Sequence, residues 1–469
     1  MTFDEKLAEI VPHERQLRFQ QLEFYAFIHF TVNTFTDREW GDGTESPEIF
    51  RPDKLDADQW VRAVKSAGMK GLILTCKHHD GFCLWQSKTT KHTVAYSPWK
   101  NGCGDVVREV SESCKKYGIK FGVYLSPWDR NCTLYGQGKA YDDFFVKQLT
   151  ELLTNYGEVF SVWFDGACGE GANGRKQYYD WERYYSVIRE LQPNACISVC
   201  GPDARWCGNE AGYTRAAEWS VVPKRARDSE IISEKSQHTD DESFRRRRVD
   251  ARDSDLGSRK MLENEEELIW YPAEVNTSIR PGWFWHESEN GKVRSLEELV
   301  NIYNNSVGGN ATFLLNIPPT NEGLLHENDV KRLAELGEYL KKAFAENFLD
   351  SAELASDGGN FSAVRRDGYD EYCIAEKGCT TMELTAKWNV PVTIGNIVLK
   401  ENILLGQRVE SFTVEAERDG EFTEIYSGTV IGYKRIVPLK NVCTRAVKIK
   451  ITDSRTEPTI VFFGIYKGE

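Results

Sequence analysis

Short apolar runs alternate along the chain with stretches whose apolar residues recur at helical spacing. Runs over 24–30 (FYAFIHF), 70–77 (KGLILTCK), 120–127 (KFGVYLSP), 159–167 (VFSVWFDGA) and 195–201 (ACISVCG) predict strands. Between them, 56–68, 104–118, 142–157 and 178–193 predict helices. In the first helix Trp60, Val61, Val64 and Ala67 share one face, and Gly68 ends it. Strand–helix alternation of this kind predicts a parallel sheet with helices packed outside it. After 201 the rhythm weakens, and 223–267 is rich in charge, with FRRRRVD at 244–250 and LENEEEL at 262–268. A basic docking patch and a solvated insertion both fit, and the insertion is the simpler account. The rhythm returns as a helix over 296–308, a strand over 311–317 and a helix over 329–346. Past 347, TMELTAKW, ESFTVEAER, AVKIKIT and TIVFFGIY alternate at period two between Gly, Asn and Asp. The expected class is α/β: a (β/α)8-like barrel over 1–347, then an antiparallel β-sandwich over 348–469.

At 469 residues the chain is long enough for more than one core. Aromatics reach 12 %, with 13 Trp, which suits either flat apolar faces for sugars or a large core. The net charge of −13 argues against a nucleic-acid partner. The 12 Cys form no C-x-x-C pair, so neither a zinc ribbon nor a disulfide framework is expected. Cys76, Cys196 and Cys200 lie in apolar runs and read as buried thiols. MTFDEKLAEIVPHERQ lacks a signal-peptide core, and no run approaches the ~18 apolar residues of a membrane helix. Cytoplasmic residence without a membrane partner is the expectation.

In a parallel barrel, chemistry sits at the strands' C-terminal ends. The first predicted strand ends near His29, and the second in Lys77-His78-His79-Asp80. The third carries Tyr124 before Ser126-Pro127-Trp128-Asp129, and the fourth carries Trp163 before Asp165. His29, His78 and His79 can bind hydroxyls, make structural hydrogen bonds or ligate a metal. Neighbours on a strand point to opposite faces, which argues against one shared ion. Asp165 fits a nucleophile and a helix N-cap equally.

F-I-H-F at 27–30, E-W at 39–40, K-H-H-D-G-F at 77–82, G-V-Y-L-S-P-W-D at 122–129, V-W-F-D-G-A at 162–167 and L-L-N-I-P-P-T at 314–320 together resemble the α-L-fucosidases of glycoside hydrolase family 29. The resemblance covers about 10–346, and more loosely the final β-domain. It implies a retaining exo-fucosidase with Asp165 as nucleophile, no cofactor and no metal. It implies fucose contacts at His29, Glu39, Trp40, His78, His79, Tyr124 and Trp163, and fucosylated oligosaccharides or glycoconjugates as partners. R-W-x-G-N-E-A-G, beginning at Arg205, resembles the subgroup acting on α1,3 and α1,4 linkages of branched Lewis-type glycans. There Glu210 matches the acid/base, with Asp203, Glu218 and Glu274 as rivals. Trp283 and Trp285, in P-G-W-F-W-H at 281–286, then line the pocket or the aglycone site, or else pack in the core. A broad-specificity or α1,2-acting fucosidase, another barrel glycosidase and a non-catalytic fucose binder are the competing readings.

Overall fold

The computed structural model describes residues 1–228, 231–233, 236 and 254–468, so the basic run at 244–250 lies outside the described residues. Eight strands form one parallel sheet: β1 (Phe24–Ile28), β2 (Gly71–Lys77), β3 (Lys120–Leu125), β4 (Ser161–Phe164), β5 (Cys196–Val199), β6 (Arg205–Trp206), β7 (Ala273–Ser278) and β8 (Ala311–Asn316). Their order is β5-β4-β3-β2-β1-β8-β7-β6. A lone parallel bridge, Ser198 to Ala204, nearly closes the ring between β5 and β6. β1, β2, β4 and β5 are buried on both faces, as continuous apolar runs in a parallel sheet require.

The helices form where the spacing predicts, and their ends have local causes. The Asp56 side chain accepts from Gln59 N and starts α1 (Ala57–Ser66), while Trp60, Val61 and Val64 are buried. Asp105 caps α2 (Val106–Tyr117) in the same way, and Gly118 ends it in the left-handed region at φ 71°. α3 (Lys139–Asn155) and α4 (Trp181–Leu191) cross between the next strands. Ser295 and Glu298 close a capping box on α5 (Leu296–Ser306), and α6 (Glu327–Ala343) completes the shell.

Two barrel strands depart from the expectation. β6 is only two residues long, too short for any periodic signal. β7, Ala-Glu-Val-Asn-Thr-Ser, is buried throughout although four of its six residues are polar, so it does not read as a core strand.

After 347 the chain is antiparallel, as the alternation predicts. β9 (Glu353–Ser356), β10 (Met382–Lys400), β11 (Val409–Arg418), β12 (Glu421–Gly428), β13 (Arg435–Ser454) and β14 (Phe462–Lys467) form a six-stranded sheet built on the long β10–β13 pair. Register shifts between Lys387 and Val392 and between Ile394 and Asn396 break that pair, and a second, two-stranded ribbon joins Cys373–Ile374 to Thr459–Ile460. The sheet docks under the barrel through Glu23, just before β1, whose carboxylate accepts from Tyr433 Oη at 2.8 Å and Lys434 Nζ at 3.1 Å. Burial alone would raise that carboxyl, but Lys434, Lys400 and Lys70 hold it down to about 2. Cys76, Cys196 and Cys200 are buried thiols. Among the described residues no helix is long and apolar enough to cross a membrane.

Candidate active site

The C-terminal ends of the strands surround a partly enclosed recess. Its walls include His29, Glu39, Trp40, His78, His79, Trp163, Asp165, Glu210 and Trp283.

Asp165 sits one residue past β4. Its Oδ1 accepts from Ala167 N at 2.8 Å, and its Oδ2 accepts from Tyr124 Oη at 2.9 Å. The carboxylate thus caps its own turn and not a helix, since α4 begins only at Trp181. Its side chain stays 21 % exposed toward the recess, with His79 Nε2 3.6 Å from Oδ2. Burial pushes its pKa up to about 6, against the opposing hydrogen bonds of Ala167 and Tyr124. Tyr124 itself stands behind the wall, its ring stacked between Trp163 at 5.3 Å and His78 at 5.7 Å. It does not line the recess itself and holds wall residues Trp163, His78 and Asp165 from behind.

The two neighbouring histidines both reach the recess because the β2 ladder ends at Lys77, so strand alternation no longer governs them. Hydrogen-bond partners set the tautomers. Ser126 Oγ donates to Trp128 O, so at 2.7 Å from His79 Nδ1 it must accept. Asn316 spends its amide protons on Ser278 Oγ and Trp283 O, so its Oδ1 accepts from His29 Nδ1 at 2.8 Å. His79 and His29 therefore keep Nε2 as a bare acceptor. Burial lowers them to about 3 and about 4, and also holds His78 well below its ordinary value, so the imidazoles stay neutral. Nδ1 of buried His78 has no hydrogen-bond partner among the described residues. Bare nitrogens beside carboxylates make a recess that accepts protons from ligand hydroxyls. Ligand atoms of His78, His79 and Asp165 lie within 4.8 Å of one another, the one such group among the described residues, so an ion would compete for the positions a hydroxyl would use.

Two of the wall tryptophans, Trp163 and Trp283, spend their N–H groups within the protein. Trp163 Nε1 donates to Glu274 Oε1 at 2.7 Å, inside the barrel. Trp283 Nε1 donates to Glu210 Oε2 at 2.8 Å. Both therefore give the recess mainly ring carbons. Glu39 lines the recess, yet its oxygens accept from Trp283 N at 2.9 Å, Phe284 N at 3.2 Å and His286 Nε2 at 2.7 Å. It pins the turn that carries Trp283, and hydrogen bonding to Glu39 raises His286 to about 9. Trp285 is not brought to the recess: its Nε1 donates to Asn290 Oδ1 at 3.0 Å, so the pairing with Trp283 expected from the sequence does not hold at the wall.

The rival carboxylates are engaged elsewhere. Asp203 binds Arg15, Arg189 and Ile197 N. Glu218 lies buried against Arg205 and Arg215. Glu274 is enclosed beneath Trp163. Phe27, Trp206 and Asn276 also line the recess and were not singled out. Phe27 lies two residues before His29 in the apolar run 24–30, a period-two signal that points to it. Asn276 lies on the polar β7 and accepts from Trp206 Nε1 at 2.9 Å. Val199, at the tip of β5, also lines the recess and holds φ 67°, a strained value for a β-branched residue.

The profile of the alpha-L-fucosidase family matches residues 5–344. Alpha-L-fucosidase 1 of Arabidopsis thaliana is 39 % identical, over 97 % of this chain and 87 % of its own length. A crystal structure of a glycoside hydrolase 29 family member from an unknown rumen bacterium shares 39 % identity at a TM-score of 0.82, covering 98 % of this chain and 78 % of that one. A Ruminococcus gnavus GH29 fucosidase in complex with fucose aligns at a TM-score of 0.82 and 29 % identity, covering 98 % and 95 %. The chain belongs to the alpha-L-fucosidase family and is a glycoside hydrolase of family 29.

Proposed function

We propose that this fucosidase is retaining and exo-acting, with Asp165 as nucleophile and Glu210 as acid/base. One observation carries the assignment. Of the three carboxylates that line the wall among the described residues, Glu39 is committed to the 283–286 turn, which leaves Asp165 and Glu210 for chemistry. In the first step Asp165 Oδ attacks the anomeric carbon, Glu210 gives its proton to the departing oxygen, and a fucosyl ester forms. In the second step Glu210 takes a proton from water, which displaces Asp165 and releases fucose. His29 and His79 accept sugar hydroxyl protons at Nε2, and the rings of Trp163 and Phe27 face the apolar 6-methyl side. Anomeric-proton NMR during hydrolysis of an aryl α-L-fucoside tests this. The first free fucose is expected as the α-anomer, and β-fucose first would refute retention.

The pKa of Asp165 gives a pH dependence. Burial raises its pKa to about 6, so as pH falls through that value the carboxylate takes a proton and can no longer attack. The acid limb of kcat/KM is therefore expected near pH 6. A limb below pH 4.5 would contradict the raised pKa.

The finer reading is a preference for α1,3- and α1,4-linked fucose on branched glycans. It is supported by R-W-x-G-N-E-A-G and by Trp206 and Asn276, which share the recess wall with Glu210. In such glycans galactose stands beside fucose on one GlcNAc, and contacts to it can be used in the transition state. Lewis a and Lewis x trisaccharides are expected to have kcat/KM at least ~10-fold above that of 2′-fucosyllactose, about the effect of one or two lost contacts. Equal values, or a preference for the α1,2 linkage, would remove the subgroup assignment and leave the fucosidase.

A further inference from the structure

Glu274 is fully buried in β7, and no Lys, Arg or His forms an ion pair with it among the described residues. Burying a carboxyl is expensive unless each oxygen finds a partner. Here Oε1 accepts from Trp163 Nε1 at 2.7 Å, and Oε2 lies 2.6 Å from Tyr25 Oη. Tyr25 Oη lies in turn 2.9 Å from Thr312 Oγ1. Burial raises Glu274 to about 7, and both of its oxygens are satisfied: Trp163 Nε1 donates to Oε1, Tyr25 Oη donates to Oε2, and Thr312 Oγ1 lies within hydrogen-bond reach of Tyr25 Oη. An apolar residue of similar volume would pack at no such expense, so the carboxyl answers a need for an acceptor under Trp163.

That indole does not stand alone. Trp163 stacks on Tyr124 with centroids 5.3 Å apart and planes at 26°, and Phe27 meets its edge at 5.1 Å. Tyr124 donates to Asp165 Oδ2. The contacts run without a gap from β7 through β4 and β3 to the carboxylate at the tip of β4. We propose that Glu274 is a positioning residue: by fixing the Trp163 indole through Nε1, it fixes Tyr124 and hence the aim of Asp165 at the anomeric carbon. This rests on Asp165 being the nucleophile. It also gives the barrel a reason to carry a polar β7.

A double-mutant cycle on the full chain, with nitrophenyl α-L-fucoside as substrate, tests the role. Glu274→Leu should lower kcat ~30-fold with KM moved less than ~3-fold, because aim and not affinity is lost, while Trp163→Phe, which also alters the recess wall, should lower kcat by a similar factor and raise KM as well. The double variant should be no slower than the worse single, since both substitutions remove one hydrogen bond. Glu274→Gln keeps an acceptor for Trp163 and donates to Tyr25, so it should stay within ~3-fold of the parent. Multiplicative losses in the double variant, or a Gln variant as slow as Leu, would overturn the proposal. If Glu274→Leu fails to fold, Trp163→Phe decides alone, because a kcat above half that of the parent overturns the role. Asp165→Gly, measured alongside, separates the two readings. Substantial turnover in that variant refutes the nucleophile itself, whereas its inactivity together with multiplicative Glu274 and Trp163 losses refutes only the positioning.

Discussion

Asp165→Gly should lower kcat on an aryl α-L-fucoside by ~10³-fold or more, because no ester to the enzyme can form. The structural part of that loss is small. The side chain accepts two hydrogen bonds, from Ala167 N and Tyr124 Oη, and their loss costs about 1–3 kcal/mol each at most. Most of that cost falls equally on free enzyme and bound states, and so does not enter kcat. The vacated volume lies against the recess, with Tyr124, His79 and Trp163 still in place around it. Azide is small enough to enter and attack from the same face. It should restore part of the rate and yield β-fucosyl azide, the product of one displacement on an α-fucoside. A variant that keeps a tenth or more of the parent kcat would show that Asp165 is not the nucleophile.

The place of Asp165 is within reach of the sequence through one physical rule, whereas its role as nucleophile is what the family resemblance implies. Strands β1 to β5 and β8 are apolar runs of ordinary length, so their ends could be found and the polar residues there collected. His29, His78, His79 and Asp165 come to the wall for that reason. The rule gave no help where a strand is polar or very short. β7 hides its burial behind Glu274, Asn276, Thr277 and Ser278, each of which has a partner only in three dimensions. Asn276 on the wall therefore escapes the rule, and Glu274 beneath it enters only as a rival acid/base.

Spacing also cannot say what a side chain does once it has arrived. Glu39 and Trp283 both reach the recess, but Glu39 holds backbone N–H groups and Trp283 gives its own N–H to Glu210. Trp285 is two residues from Trp283, yet it faces Asn290 because the 283–286 turn has no regular period. Alternation likewise suggested that His78 and His79 diverge. Both line the recess because pleating stops at Lys77.

Glu210→Ala should divide substrates by their leaving groups. A sugar hydroxyl is a poor leaving group and needs a proton as the bond breaks, so natural glycans are expected to lose ~10²–10⁴-fold in kcat/KM. A chloronitrophenolate leaves without help, so its first step should change by less than ~10-fold. Its kcat should still fall, because the second step lacks a base to activate water. The fucosyl-enzyme then accumulates, which lowers KM together with kcat. Added azide needs no base and should raise kcat again, now giving α-fucosyl azide after two displacements. Removing the carboxylate also strips the acceptor from Trp283 Nε1, which lies 2.8 Å from Oε2, so some loss common to all substrates is expected. That common part cannot produce the split, because it does not depend on the leaving group. Equal losses on Lewis x and on the aryl fucoside, with no azide effect, would mean that Glu210 only holds Trp283 in the wall.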